Sequence, residues 1–564
     1  MARTLRGMAA LLAAALGACS GSSGGAAEDA GASADGGTPD ATPFDPCDPL
    51  GDRPGVCPAR GVYQGPIQVE LRAPLGAEVY YTLDGSEPDE ATGTRYGEPI
   101  DLAPPADRGL VVLRARAIDP ESGSRPIVTH SYVFASAVLA QTAAPDGVPA
   151  MWGTDPSRAG DYQMDPRVIE EPAAAAAAFA DLPTVSLVMA PDDLWGAERG
   201  IYMNPEAGGL EWERPVSFEI FDGGELSVQA GCGVRVQGGS STLDWKSAKL
   251  SLRLAFKEEL GPKELDATLF GGGDEAAEYD TLILDAHLNL TWTHPDVGQR
   301  TRADYIRDRF TSDLQLAVGG HAPRGRFVHL YLNGLYWGLY ELHERPDEHF
   351  AAAYLGGAPA DYDVIKHVRT DVVNGDVAAY DALFTLARQG LADPARYAAI
   401  QEQLDVADFI DYMLVNFYVG NDDWSHHNWY AARRKPDGRW RFFSWDAEHV
   451  LKAVDVNRTA INDSAAPGEL YQLLRGNPDF TAAVTARAAE LLAADGPFST
   501  DAARALYIAR ADEIESSVVL ESARWGDVNS PDAPHGVVHW LAEQAWIRDT
   551  YFPARPAAVA GQLD

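Results

Sequence analysis

The fold is decided by the stretch Gly420-Asn421-Asp422-Asp423-Trp424-Ser425-His426-His427-Asn428. Apolar residues recur at helical spacing over 406–419, directly before it, and Gly420 is a typical helix end. After the polar stretch, the run from Trp440 to Asp446 is typical of a buried strand that ends in a carboxylate. A polar loop between an apolar helix and such a strand predicts that its side chains and Asp446 lie at one site.

The spacing of polar residues in this loop indicates phosphoryl transfer. Asp423 and Asn428 are five residues apart, as the aspartate and asparagine of a kinase catalytic loop are, and Asp446 follows after a hairpin. Such chemistry needs one carboxylate to take a hydroxyl proton and oxygen ligands to hold Mg²⁺. The alternative, at about even weight, is that Asp423 and Asn428 only cap turns.

A glycine loop lies further towards the N-terminus. The alternating strand that starts at Gly233 runs into Gly238-Gly239-Ser240-Ser241, and a second alternating strand, 246–254, contains Lys249. Glycines let backbone N–H groups approach phosphate oxygens, and a lysine supplies positive charge. Taken alone, a Gly-Gly turn in a hairpin is the commoner explanation of this pattern.

Length and charge limit the function classes. The chain has 564 residues, which is too many for one core and indicates two or three domains. Its formal net charge of -38 repels nucleic-acid phosphates and anionic lipid. We therefore expect no nucleic-acid partner, and membrane contact only through an anchor.

The N-terminus predicts such an anchor. Arg3 and Arg6 precede a short apolar run, and Leu16-Gly17-Ala18-Cys19 resembles the lipobox of bacterial lipoproteins. We expect a lipoprotein signal peptide over 1–19, lipidation of Cys19, and an exported protein held to a membrane in the periplasm or at the cell surface. Ser20 favours the outer membrane. The alternative is an ordinary cleaved signal peptide with a chance cysteine.

The remaining chain divides by composition. We expect a flexible tether over 20–57, a linker over 137–181 with a helix in its alanine run, and one large α+β unit of two lobes over 182–556. Short strands separated by turns over 58–136 predict a small antiparallel β-sandwich. An exported location permits a disulfide between Cys47 and Cys57, which leaves Cys232 unpaired; the cysteine spacing predicts no zinc site.

Two segments resemble known families. The first resemblance rests on Tyr80-Tyr81-Thr82-Leu83-Asp84-Gly85-Ser86-Glu87-Pro88, Leu113-Arg114-Ala115 and Thr129-His130-Ser131-Tyr132. This segment resembles the chitobiase/β-hexosaminidase C-terminal type of sandwich module, which is an accessory domain. We favour a spacer role for the module, and its candidate ligand is a glycan. From 182 to 556 the chain resembles the CotH kinase family. This second resemblance rests on Trp212-Glu213-Arg214-Pro215-Val216, the glycine loop with Lys249 and Arg253, Trp292-Thr293-His294-Pro295-Asp296, residues 333–340 with Glu344, the Asp423 loop and Trp445-Asp446.

The CotH resemblance implies an atypical protein-kinase fold and ATP-dependent phosphorylation of surface proteins. By position, it implies that Asp423 is the catalytic base and that Asn428 and Asp446 hold Mg²⁺. It also implies that the loop 238–241 and Lys249 contact ATP, and that Glu344 orients Lys249. The family often has a second aspartate two residues after the first, where this chain has Glu448, so a second metal ligand there is in doubt.

Two other functions stay open. The chain could be a non-catalytic surface protein, either a pseudokinase scaffold or an adhesin that binds glycan. Ranked last is a glycoside hydrolase that uses Asp423, Asp446 and Glu448, because the glycine loop has no part in that chemistry. We interpret His426 and His427 as structural loop residues and leave them out of the catalytic set.

Overall fold

The computed structural model describes residues 47–121, 123–271, 273 and 275–563. The predicted signal peptide, Cys19 and the first part of the predicted tether lie outside the described residues. The described chain is mixed α+β, as expected. Within it, no helix is both long and apolar enough to cross a membrane.

The N-terminal module, residues 47–134, consists of two β-sheets that share one core. The sheets have the orders β1-β3-β6 and β2-β9-β7-β4-β5, with β8 beside β7, and β2 pairs with β9 in parallel. Val69, Leu113 and Tyr132 are buried between the sheets. The strands are β1 Gly55–Cys57, β2 Gly61–Val62, β3 Ile67–Arg72, β4 Glu78–Thr82, β5 Thr94–Arg95, β6 Ile100–Leu102, β7 Leu110–Asp119, β8 Gly123–Ser124 and β9 Val128–Val133.

The last part of the predicted tether belongs to this module. β1 pairs antiparallel with β3, and Cys47 forms a disulfide with Cys57. Backbone pairing and the disulfide fix a segment whose composition alone predicts no fold. The prediction of a tether as far as residue 57 is therefore wrong for residues 47–57.

The predicted linker over 137–181 is also wrong, because this segment packs against the rest of the chain. It contains the end of α1 Ala135–Val138, and then β10 Met151–Trp152, β11 Arg158–Ala159 and α2 Pro172–Ala178, the last in the predicted alanine run. Trp152 is fully buried, donates from Nε1 to the Tyr162 hydroxyl at 2.6 Å, and lies 5.8 Å from the ring of Trp337. A few aromatic side chains thus tie down a segment that is otherwise small and polar.

A closed seven-stranded barrel follows, in the order β12-β13-β14-β15-β18-β20-β19. Among the described strands of this barrel, β12 and β19 are the only neighbours that pair in parallel, and their pairing closes it. Alternating apolar residues such as Phe218, Leu252 and Leu330 fill the interior, as the two-residue period of a barrel strand requires. The elements are β12 Thr184–Val188, α3 Pro191–Trp195, β13 Arg214–Asp222, β14 Glu225–Gln237, β15 Ser251–Ala255, β16 Leu265–Asp266, β17 Glu278–Tyr279, β18 Thr281–Asp285, α4 Val297–Arg300, α5 Arg307–Ala317, β19 Gly325–Leu332 and β20 Leu335–Glu344.

The C-terminal part combines helices with a four-stranded sheet of order β22-β21-β23-β24. The predicted helix 406–419 is confirmed as α9, which lies in the largest apolar core, and α15 continues past the predicted domain end at 556. The elements are α6 Glu348–Leu355, β21 Tyr362–Lys366, β22 Val372–Asn374, α7 Ala378–Ala387, α8 Pro394–Gln401, α9 Val406–Val419, β23 Trp429–Arg434, β24 Arg441–Ser444, α10 Pro467–Leu474, α11 Pro478–Leu491, α12 Thr500–Ile514, α13 Val518–Trp525, α14 Val537–Trp546 and α15 Phe552–Leu563.

Helix α13 joins this part to the barrel. Trp525 donates from Nε1 to the backbone oxygen of Trp337 at 2.7 Å, and Glu521 accepts from the backbone N–H of Leu339 at 2.8 Å. The helix approaches β20 closely at Gly338, where a Cβ would stand 2.5 Å from the Glu521 carboxylate. Only glycine fits there, and its φ of 113° also favours glycine.

Candidate active site

A cleft of about 440 Å³ lies between the outer face of the barrel and the loops of the C-terminal part. Its lining includes the glycine loop 238–241, Lys249, Asp423, Asn428 and Asp446. The structure therefore brings together two distant stretches of sequence, 238–249 and 423–446, whose residues were predicted to form one site. Glu344 does not line this cleft.

Local structure fixes the loop that carries Asp423. Helix α9 ends at Gly420, which has a left-handed φ of 63° and donates its N–H to Phe417. Trp424 then anchors the loop by donating from Nε1 to the Tyr412 hydroxyl at 2.7 Å. Ser425 donates from its hydroxyl to Asp463 at 3.0 Å. These bonds anchor the loop against the rest of the C-terminal part, and Asp423 and Asn428 line the cleft.

Asp423 is half-buried and surrounded by donors. Its Oδ1 lies 3.2 Å from Nε2 of His427 and 3.6 Å from Nε2 of His426. The Asn428 amide donates to the Asp423 backbone oxygen at 3.1 Å and to its Oδ2 at 3.4 Å. The hydrogen bond from His427 is the main reason that the pKa of Asp423 is lowered. The carboxylate is therefore ionised at neutral pH.

Asp446 is the centre of an acidic group. It follows β24 with a left-handed φ of 56°, and among the described residues no hydrogen bond or ion pair engages its carboxylate. Burial raises the pKa of Asp446 well above its usual range, and the nearby carboxylates of Glu448, Asp308 and Asp285 raise it further. Asp446 and the carboxylates beside it form a set of oxygen donors suited to a hard divalent cation.

The carboxylate of Glu448 already accepts hydrogen bonds from other protein groups. Its two carboxylate oxygens accept from the backbone N–H groups of Leu288 and Asn289, at 2.7 and 3.1 Å, and from the Asn289 side chain at 2.6 Å. It closes the loop after β18 against the segment after β24. The doubt about a second metal ligand at this position thus has a structural reason.

The glycine loop lies at the barrel side of the cleft. Gly238 has a φ of 143°, and a Cβ there would stand 2.4 Å from the Ser241 hydroxyl. Gly239 and Ser240 are exposed. The loop is therefore a tight, accessible turn whose backbone a ligand can approach.

Lys249 has a different partner from the predicted one. It precedes β15 rather than lying within it, and its fully buried ammonium donates to Glu521 at 2.8 Å and to the backbone oxygen of Leu339. Burial lowers the pKa of Lys249, while Glu521 opposes that shift. The predicted pairing with Glu344 is wrong.

Glu344 instead accepts from the Tyr354 hydroxyl at 2.7 Å and from the backbone N–H of Arg324 at 2.8 Å. Burial raises the pKa of Glu344 to about 7. Its partners place it outside the cleft, in the scaffold around the end of β20.

Comparison with protein families agrees with these features. Residues 234–552 match the family model described as CotH kinase protein, and residues 58–129 match the chitobiase/beta-hexosaminidase C-terminal domain. The chain belongs to the CotH kinase protein family. No curated protein matches it. The CotH match begins inside β14, so β12 and β13 complete the barrel from outside the matched range.

Sequence reasoning missed several residues of this CotH kinase domain's cleft. Asp285 ends β18 as Asp446 follows β24, and the same signal, a buried strand that ends in a carboxylate, could have identified it. Asp308 lies on α5, and burial raises its pKa to about 7. His287 is buried between Asp285, Glu341 and Glu448, with nitrogen–oxygen distances of 3.4 to 3.6 Å.

Basic side chains extend the cleft wall on the CotH barrel. Arg235 and Arg253 are direct neighbours on β14 and β15, two residues along each strand from the cleft residues Gln237 and Ser251. Burial, together with the nearby charges of Arg345 and Arg235, lowers the pKa of Arg253 to about 10. In a chain of net charge -38, this local positive group indicates an anionic ligand.

Proposed function

We propose that this chain is an atypical protein kinase that transfers the γ-phosphate of ATP to a hydroxyl group of a surface or secreted protein. The observation that carries the proposal is the single cleft in which Asp423, Asn428 and Asp446 face the glycine loop. Membership of the CotH kinase family supports it.

The cleft residues fit a nucleotide with Mg²⁺. Asp446 offers a carboxylate, and Asn428 an amide oxygen to which no described residue donates a hydrogen bond. These are the oxygen ligands that Mg²⁺ prefers. Backbone N–H groups of the loop 238–241 and the positive group around Arg253 suit phosphates. When bound, ATP with Mg²⁺ supplies the phosphoryl group and neutralises its charge.

Asp423 is the residue that would receive the substrate proton. A side chain that positions a hydroxyl group and accepts its proton must be ionised, and the hydrogen bond from His427 keeps it so. Its carboxylate remains partly exposed, so a protein hydroxyl can reach it. The rigid loop fixes its direction before substrate arrives.

Lys249 would act as a positioning residue rather than through contact with phosphate. Its ammonium is enclosed by Glu521, Leu339 and the ring of Tyr340, whose centroid is 4.6 Å away. It thereby links the start of β15, which follows the glycine loop, to α13. We propose that the barrel and the C-terminal part are the two lobes of the kinase fold, with this ion pair between them.

We also propose that the kinase works outside the cytoplasm, held by a lipid on Cys19. The N-terminal sequence supports this location, and the disulfide between Cys47 and Cys57 fits an oxidising compartment. The N-terminal module would then serve as a spacer or bind glycan, with the membrane as the chain's other partner.

The test is phosphate transfer from γ-labelled ATP. The purified chain with Mg²⁺ should label itself or an added protein, and Asp423→Asn should lower the rate by about 10²-fold or more. Asp422→Asn is the matched control, because Asp422 binds Lys452 at 3.0 Å and does not line the cleft. It should keep most of the activity.

Two results would count against the kinase. One is the absence of label together with no rise in melting temperature on addition of ATP and Mg²⁺. The other is equal loss of activity in Asp422→Asn and Asp423→Asn, which would indicate loop damage rather than a lost base. Binding of ATP without transfer would favour the pseudokinase alternative.

A further inference from the structure

Asp423, His426 and His427 form a group that the kinase reaction leaves partly unexplained. One ligand atom from each of the three side chains lies within 4.8 Å of the ligand atoms of the other two. Both imidazoles are part-exposed, at 52% and 36%, so a solute ion can reach them. Phosphoryl transfer uses the carboxylate, which the hydrogen bond from His427 keeps ionised, but nothing in that reaction requires a second histidine on the same oxygen.

The distances suit a tetrahedral transition-metal ion. A Zn²⁺ ion with bonds of about 2.0–2.1 Å places neighbouring ligand atoms about 3.3 Å apart. The observed separations from Oδ1 are 3.2 Å to His427 and 3.6 Å to His426. Two histidines and one carboxylate, with the fourth position open to solvent, are a common zinc ligand set.

The surroundings hold this group in place. The Asn428 amide donates to Oδ2 of Asp423, which leaves Oδ1 directed at the two histidines. Trp424 and Ser425, between the ligands in sequence, are anchored by hydrogen bonds to Tyr412 and Asp463. Such outer contacts orient the ligands of protein metal sites and lower the cost of ordering them.

Ligand chemistry separates this group from the acidic group around Asp446. Imidazole nitrogen favours Zn²⁺ and similar transition metals, whereas carboxylate and amide oxygens favour Mg²⁺. Asp423 therefore belongs to a set of ligands that contains nitrogen, which differs in chemistry from the oxygen ligands around Asp446.

We propose that Asp423, His426 and His427 bind a transition-metal ion of the Zn²⁺ class, and that its binding inhibits the kinase. The inhibitory part rests on the proposed function. The ion would occupy Oδ1 of Asp423, the atom that would otherwise accept the substrate hydroxyl proton. Free metal concentration would thereby regulate transfer without displacing Mg²⁺ from Asp446.

Binding is tested first, without ATP. Calorimetric titration of the metal-free chain with Zn²⁺, and the visible absorption of bound Co²⁺, should show one site. His426→Gln and His427→Gln should each weaken binding by at least about tenfold. Asp422→Asn should bind as the unaltered chain does. Equal affinity in all four proteins, or no Co²⁺ absorption, would overturn the site whether or not the chain is a kinase.

Inhibition is tested second, at saturating Mg²⁺ with buffered free Zn²⁺. A Zn²⁺ concentration ten times the measured dissociation constant should lower the transfer rate about tenfold, and His426→Gln should lose most of this inhibition. Binding without inhibition of an active enzyme would overturn the regulatory part. If the chain binds Zn²⁺ as expected but never transfers phosphate, the metal site stands and the proposed function falls.

Discussion

The two sides of the cleft hold their polar groups in opposite surroundings. On the barrel side, Lys249 and Glu521 are fully buried and bind each other at 2.8 Å. On the loop side, Asp423 is part-exposed, and the two histidines beside its carboxylate, His426 and His427, are also reachable by solvent. One pair is sealed within the fold, and the other group is open to ligands.

The difference separates a scaffold from a reactive group. A buried ion pair costs desolvation energy and is costly to break, so it suits the fixing of two elements. A part-exposed carboxylate on an anchored loop can meet a substrate or a metal without unfolding anything. Substitutions on the barrel side should therefore act on stability first, and those on the loop side on activity first.

The largest expected effect is a loss of stability on breaking the buried ion pair between Lys249 and Glu521. Lys249→Met leaves the Glu521 carboxylate buried without its partner, and we expect the free energy of unfolding to fall by about 3–5 kcal/mol. Glu521→Gln should cost a similar amount. Urea denaturation followed by tryptophan fluorescence measures both.

An exposed ion pair provides the control. Arg388 and Glu469 bind at 2.7 Å near the surface, and Arg388→Met should cost at most about 1 kcal/mol. The double variant Lys249→Met/Glu521→Leu should be less destabilised than the sum of its single changes, because no unpaired charge remains. Strict additivity, or a loss no greater than that of Arg388→Met, would show that the pair does not join β15 to α13.

A smaller effect is expected at Glu344, as a change in the pH dependence of stability. Burial raises its pKa from the ordinary 4.5 to about 7, so the folded state holds a proton that the unfolded state has lost in this range. Stability from this group is full below pH 4.5 and is lost as the pH rises through about 7. Glu344→Gln should remove a slope of up to about 1.4 kcal/mol per pH unit.

The measurement is urea denaturation of the two proteins across that range. The stability of the variant relative to the parent should rise with pH, and transfer activity at a fixed pH should change little. A large loss of activity with unchanged stability would return Glu344 to the role of orienting an active-site group.

Sequence patterns predicted the loop side of the cleft, with Asp423, better than the barrel side, with the buried Lys249–Glu521 pair. The Asp423 loop is fixed by neighbours in sequence, since α9, its end at Gly420 and the strand before Asp446 each leave a local signal. Glu521 is 272 residues from Lys249, and nothing in the sequence of an amphipathic helix marks which of its residues will contact a distant strand. Barrel closure by β12 and β19 depends in the same way on distant pairing.

Composition also failed where a few large side chains decide the structure. The segment 137–181 is mostly small and polar, yet Trp152 and Tyr162 bury it against the barrel. Counting residue types therefore indicated a linker where packing produces part of the body. No residue of this segment lines the cleft, so the wrong prediction of a linker affects the domain boundaries but not the site.

The smallest expected effect is on the loop side, in the acid limb of the activity profile. The hydrogen bond from His427 lowers the pKa of Asp423, so His427→Ala should raise that pKa and move the acid limb to higher pH. Activity at neutral pH should stay close to that of the parent, because Asp423 is still ionised there. The initial rate of phosphate transfer, measured from about pH 4 to about pH 8, shows the shift. An unchanged acid limb with a lowered plateau would mean that His427 contacts substrate instead of lowering the pKa of Asp423. The loop side of the cleft would then depend on its hydrogen bonds less than the barrel side depends on its ion pair.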